Sequence, residues 1–223
     1  DGACGRAGDA WLSNGLPLAE QVTAGDADIN RLRFQIEEKA YVILSTQQPL
    51  ARDLRTVIAA IHFAIELERI GDHAAGIARI VTRMADMPRT PFIETINPAM
   101  AGDGVDQASE DEPPTLRLKL SRLPKMTKRA RDMLRRAIEA YIERDIDKAN
   151  AITKRDHKID RQYRKFFAET MAELSSRHVA EMPTYLLWIA HNLERIGDRT
   201  TNLAERVVFM VTGQYTEVLE DYE

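Results

Sequence analysis

The sequence predicts an all-α protein built as a tandem of two pseudo-symmetric helical bundles, and three observations carry that reading. The hexapeptide Leu-Glu-Arg-Ile-Gly-Asp occurs twice, at 67–72 and 193–198, 126 positions apart. Around both copies apolar residues recur at three- and four-residue spacing, and nothing alternates with period two over a useful length. Between them, residues 88–114 hold five of the nine prolines and a Gly- and acid-rich run that cannot bury a core. A repeat at this distance means one supersecondary unit used twice.

Residues 1–16 are Gly-rich without a sustained period and read as irregular. Pro17 suits a first helical position, and the stripe Leu18, Val22, Ile29, Leu32, Ile36, Ala40 and Ile43 makes the first helix. A polar break at 45–49 separates it from a second, from about Ala51 to Met87, striped through Phe63, Leu67, Ile70, Ala74, Ile77, Val81 and Met84. A helix of that length is roughly 50 Å long, a rod suited to a bundle. After the Pro/acidic linker 88–115, helical period resumes near Leu116 and continues through Leu123, Met126, Ala130, Met133, Ala137 and Tyr141. Asp145 and Asp147 offer N-caps for a fourth helix carrying Ile152, Ile159, Tyr163, Phe166 and Leu174. The last helix follows Ser175 and Ser176, bears Leu186, Ile189, Leu193, Ile196, Leu203, Val207 and Met210, and is stopped by Gly213. An acidic tail, 217–223, closes a terminal segment from 215.

The units are therefore 17–87 and 116–214. The second reads as three helices and the first as two, so the first helix of the first bundle is expected to be missing, with 1–15 filling its place poorly. The stripe on 17–87 would then lack a cover and favour a homodimer.

Composition narrows the function. The 223 residues are 44% hydrophobic, 30% charged and only 6% aromatic, ordinary for a soluble helical protein. A net charge of −4 gives no case for nucleic acid, and Cys4, the sole cysteine, excludes disulfide scaffolds and thiolate metal sites within one chain. No apolar run approaches a membrane span, and the start, without initiator Met or signal h-region, suggests a cytoplasmic chain that begins inside a longer product.

Each hexapeptide places two carboxylates on one helix face, Glu68 with Asp72 and Glu194 with Asp198. In the fourth helix Asp156 and Asp160 interrupt an apolar face, and their counterparts in the first repeat, offset by 130, are Asp26 and Asn30. Carboxylates beside apolar stripes are partly desolvated, and two of them about 6 Å apart repel by roughly 3 kcal/mol at an effective dielectric of 20. A raised pKa, an Arg partner or a bound cation would compensate. Arg69 and Arg195 point about 100° away from Glu68 and Glu194 but reach Asp72 and Asp198 at i+3. If the motif helices pack together, oxygen-only clusters suited to hard cations form. Mid-helix Gly71 and Gly197 suggest close approach of backbone or ligand. His62, His73, His157 and His191 lie near the motifs without the spacing of ferritin-like di-metal sites and are expected to pack or sit at the surface. Residues 117–136 hold nine basic residues against Asp132 alone, a solvated face or a contact for acidic headgroups or a partner.

These motifs resemble the PhoU family of phosphate-signalling regulators. The resemblance rests on Gln48-Pro-Leu-Ala-Arg-Asp-Leu-Arg55, Glu68-Arg-Ile-Gly-Asp72 with Ile77-Ala78, Asp156 to Asp160, and Asn192-Leu-Glu-Arg-Ile-Gly-Asp198 with Asn202-Leu-Ala204, and it spans about 17–87 and 121–213. It implies tandem three-helix bundles related by a pseudo-twofold. It also implies metal bound by Asp156, Asp160, Glu194 and Asp198 and by Glu68, Asp72, Asp26 and Asn30, with iron, manganese or magnesium the expected ions. The implied role is non-enzymatic and cytoplasmic: negative regulation of the phosphate-starvation response, linking the phosphate ABC transporter's ATPase (PstB) to a membrane sensor kinase (PhoR). Membrane association would come only through those partners. Asn30 stands where a carboxylate is expected, and a carboxamide is the weaker ligand for a hard cation, so the first site is expected to be the weaker. The competing readings are a carboxylate-bridged metalloenzyme and a structural helical adaptor without metal.

Overall fold

The computed structural model describes residues 16–85, 122–174 and 181–214, together with positions 2, 3, 6, 7 and 10. Five long helices make up nearly all of this: α1 (Leu16–Gln47), α2 (Ala51–Ala85), α3 (Arg122–Glu143), α4 (Ile146–Leu174) and α5 (Glu181–Thr212). No strand occurs among the described residues. The linker 88–115, the expected start of the third helix at 116–121, the break at 175–176 and the tail 215–223 lie outside them.

Local chemistry sets the helix ends. Pro124 and Pro183 sit in the first turns of α3 and α5, where a missing N–H costs nothing. Asp145 caps α4, its Oδ1 accepting the Lys148 backbone N–H at 2.9 Å. Gly213, with φ of 78°, ends α5 by donating its N–H to the Phe209 carbonyl at 2.8 Å. The turn between α1 and α2 places Gln48 and Ala51 at φ of 47°. Neither is a glycine, so each costs about 1 kcal/mol or more.

The two helices that carry the hexapeptide, α2 and α5, pack against each other at the centre of the molecule. Helix α1 lies along α2, whereas α3 and α4 pack on α5 and on each other. The second repeat is thus a closed three-helix bundle. Its core includes Leu123, Met133, Ile152, Ile159, Phe166 and Ile196, each 1% exposed or less. Burying each such side chain contributes roughly 1.5–3 kcal/mol.

The central contact obeys the repeat. An offset of 126 maps Glu66 onto Asn192 and His73 onto Arg199. Arg199 Nη1 lies 3.6 Å from Glu66 Oε2, and on the symmetric side His73 Nδ1 lies 3.0 Å from Asn192 Oδ1. Because Asn192 Nδ2 already donates to the Trp188 carbonyl at 2.8 Å, its Oδ1 accepts and His73 carries the proton on Nδ1. Gly76 makes room here: a Cβ would stand 3.1 Å from Asn192 Oδ1.

The first repeat is more open, and it corrects one expectation. Positions 2, 3, 6, 7 and 10 are helical, and Ala7 and Ala10 are fully buried in the core. At these positions the N-terminal segment is not irregular, and the α1–α2 hairpin has a third helical contact. The period there is carried by Ala3, Ala7 and Ala10, side chains too small for a hydrophobic stripe among glycines to stand out. Coverage is incomplete. Of the stripe on α1, Val22 and Ala40 are buried, while Leu32, Ile36 and Ile43 remain 55%, 40% and 41% exposed. Helix α3 lends some cover, Tyr141 stacking on Phe63 with ring centroids 4.1 Å apart.

No described helix is long and apolar enough to cross a membrane. The exposed apolar row on α1 is expected to drive self-association at micromolar concentration. Leu32→Glu with Ile36→Glu should leave the helix content unchanged and shift the protein towards monomer in light scattering. A wild-type protein that is monodisperse and monomeric under the same conditions contradicts this.

Candidate functional site

The second repeat brings three of the four predicted carboxylates, Asp156, Asp160 and Asp198, into one cluster, with Glu194 beside it but not among them. Asp156 and Asp160 lie one turn apart on α4, and Glu194 and Asp198 one turn apart on α5, the helix packed against it. Oxygens of Asp156, Asp160 and Asp198 all lie within 4.8 Å of one another, with every residue half-buried. Gly197 permits this closeness: a Cβ at that position would stand 2.7 Å from Asp156 Oδ1 and 3.4 Å from Ile159 Cδ1. The mid-helix glycine therefore serves close helix approach at the carboxylates, one of the two roles the sequence suggests for it.

Electrostatic strain gathers on Glu194. Burial, then repulsion from Asp198, and lesser repulsion from Asp160 and Asp156, push its carboxyl up to about 7 against an opposing pull from Arg195. Its Oε2 is closed off from solvent and makes no hydrogen bond among the described residues, and His191 Nδ1 stands 3.5 Å away. Arg195 pairs with Asp198 at 2.8 Å, the i+3 contact expected of it. Thr201 donates its hydroxyl to Asp156 Oδ2 at 2.9 Å, and Tyr163 is close enough to Glu194 to feel its charge. Four carboxyl groups, with Arg195, Thr201 and Tyr163 among their neighbours, offer an all-oxygen, anionic donor set, and the residues present fit a hard cation.

The first repeat does not reproduce this cluster. Asp26 and Asp72 do interact, since burial and then Asp72 raise the Asp26 pKa while Arg79 lowers it. Gly71 repeats the role of Gly197 more loosely, a Cβ there meeting Ile29 Cδ1 at 3.0 Å and Asp26 Oδ1 at 3.8 Å. Asp72 is exposed, however, where partial desolvation is expected of it. Arg69 does not pair with it at i+3 but lies 3.5 Å from Glu66. Asn30 donates its amide to the Asp26 carbonyl at 3.3 Å. Arg33 then reaches across from α1 to Glu68 at 3.4 Å while holding Glu37 at 3.1 Å. A side-chain cation thus engages the carboxylate whose counterpart, Glu194, has none so placed. The residues of this site fit a metal poorly.

Arg33 and Thr201 go unmarked by the sequence, and Tyr163 stands there only as part of the apolar stripe of α4. The repeat offset holds the signal for all three. Position 33 aligns with Tyr163 at an offset of 130, and Thr201 with Ala75 at 126, so the exchange of cation for hydroxyl is visible once flanking residues are aligned along with the motifs. His157 is exposed, and His62 has its pKa lowered by burial and by Arg206, in keeping with packing and surface roles.

With this geometry in view, the comparisons are informative. A family model described as the PhoU domain matches residues 4–81 and 123–207, one match to each repeat. The phosphate-specific transport system accessory protein PhoU homolog of Rhizobium meliloti is 33% identical over 92% of this chain and 76% of that protein. The Clostridium acetobutylicum homolog is 28% identical over 90% of this chain and 80% of its own length. Among solved structures, the phosphate transport system regulatory protein PhoU from Streptococcus pneumoniae superposes with a TM-score of 0.77 at 26% identity, covering 97% of this chain and 89% of that one. PhoU from Pseudomonas aeruginosa gives 0.73 at 28% identity, covering 95% and 90%.

The raised Glu194 carboxyl has a measurable consequence. A group that binds its proton more tightly when folded contributes stability below its unfolded value of 4.5 and loses it as pH rises through about 7. A shift of that size corresponds to about 3 kcal/mol, reduced to about 1–2 kcal/mol by solvent at the half-open site. In chelator-treated protein, thermal stability should therefore fall between pH 5 and pH 8, and Glu194→Gln should flatten that fall. An unchanged pH profile in the variant would show that Glu194 is not the strained group.

Proposed function

Because the chain belongs to the PhoU family, we propose that it is an accessory regulator of phosphate transport and of phosphate-responsive gene expression. It acts without turnover, as a helical adaptor on the cytoplasmic side that links the phosphate transporter's ATPase (PstB) to a sensor kinase (PhoR) and represses the starvation response when phosphate is plentiful. The observation that carries the reading is the back-to-back packing of two PhoU repeats through their motif helices. That arrangement turns the remaining faces of long rods outward as a broad surface, which suits docking onto proteins better than small-molecule chemistry.

The second carboxylate cluster belongs to this reading as a structural cation site. Asp156, Asp160 and Asp198, with Glu194 alongside, would hold iron, manganese or magnesium, and the ion would supply the positive charge that neutralises their repulsion and ties α4 to α5. Nothing in this role requires an open coordination position or a substrate. A carboxylate-bridged metalloenzyme has less support, because among the described residues the cluster contains three aspartates and no histidine, and His191 stands beside Glu194 at an exposed position.

Two experiments test these proposals. Protein purified without chelator should carry one hard cation per chain. Glu194→Ala with Asp198→Ala should abolish it, Glu68→Ala with Asp72→Ala should leave most of it, and Gly197→Ala should lower affinity by displacing Asp156. Metal content at buffer background in the unmodified protein would remove the cation site from the proposal. Separately, deleting the gene should derepress phosphate-scavenging enzymes at high phosphate. Normal repression in the deletion strain would leave the regulatory reading without support.

A further inference from the structure

A second charged feature lies on the opposite side of α4. Lys125, Lys128 and Arg129 on α3 and Arg155 and Lys158 on α4 line a groove of about 560 Å³, with Asp132 and Met133 between them. Over residues 122–174 fifteen Lys and Arg stand against nine Asp and Glu, in a chain whose net charge is −4. The positive field is therefore local to this bundle and is not a property of the molecule at large.

Asp132 does not neutralise the groove. Arg136 and Arg155 each reach its Oδ2, at 2.8 and 2.7 Å, and Arg135 reaches its Oδ1. These guanidinium groups hold its carboxyl below the usual range, burial opposing them. Its single charge is already matched more than once over. Lys125, Lys128, Arg129 and Lys158 have no hydrogen bond or ion pair among the described residues. Four uncompensated cations in a concave channel raise the local concentration of anions and repel one another in their absence.

The spacing indicates which anion. On α3 the cations recur at i, i+3 and i+4, and on α4 at i and i+3, so they run along both walls for about a helical turn. A single orthophosphate spans only part of such a row. A chain of condensed phosphates lies along it, with Arg129 and Arg155 suited to paired hydrogen bonds and the lysines acting as point charges. The concavity between two helices favours a soluble ligand over a flat lipid surface. We propose that the α3–α4 groove is a binding site for an oligophosphate, free or carried as the triphosphate of a nucleotide.

The test uses the full chain and inorganic tripolyphosphate, with ATP, orthophosphate and phosphatidylglycerol vesicles as parallel probes. Calorimetric titration at low salt should show saturable binding of tripolyphosphate, at least about tenfold tighter than orthophosphate and weakening steeply with salt. ATP binding alongside tripolyphosphate would assign the triphosphate as the shared element, and binding of tripolyphosphate alone would assign the free chain. Lys125→Ala, Lys128→Ala and Lys158→Ala combined change only exposed helical positions, so the fold is retained, and they should weaken binding about tenfold or more. Lys39→Ala on α1 should not. Absence of tripolyphosphate binding, equal binding by the triple variant, or capture of vesicles without binding of soluble oligophosphate would each overturn the proposal.

Discussion

The contact between α2 and α5 is the constraint on which the rest of the molecule depends. Each motif helix gives one face to the other repeat and must place its carboxylates on a different face, towards its own partner helix. Glu66 with Arg199 and His73 with Asn192 fix the mutual rotation of these rods. The separate packing of α4 on α5 then sets where Glu194 and Asp198 stand relative to Asp156 and Asp160. The two halves of the contact are chemically unlike, one ionic and one an imidazole–amide hydrogen bond. Equivalent positions in the repeats have diverged while the packing between them has not.

Close approach at Gly197 is the second element of the arrangement. A glycine inside a helix costs about 1 kcal/mol relative to alanine, and here it admits Asp156 to within contact of the α5 backbone. Burial in this packed region, then repulsion from Asp198 and less from Asp160 and Asp156, raises the Glu194 carboxyl.

Much of this was legible in the sequence because long helices announce themselves through period, and duplicated hexapeptides locate equivalent positions without structural information. The ends at Asp145 and Gly213 follow from residue chemistry alone. What the sequence concealed has identifiable causes. Ala3, Ala7 and Ala10 form a helical contact through side chains too small to stand out among glycines. Asp72 follows Ile58 and Ile65 at seven-residue spacing, yet the open side of the first repeat leaves it exposed. Spacing alone allows Arg69 to meet Glu66 at i−3 or Asp72 at i+3, and in the fold it meets Glu66, whose other oxygen faces Arg199.

The substitution of Arg33 near Glu68 separates the two repeats in a way that goes beyond affinity. A cation fixed to the backbone is present at an effective concentration set by the fold. It cannot be chelated, outcompeted or diluted, and its attachment to α1 persists whatever the surrounding solution contains. A cluster that relies on a dissolved ion answers instead to that ion's activity. With an ion at the second cluster as proposed, the charge balance of that repeat would follow the solution, while that of the first is set by the covalent chain.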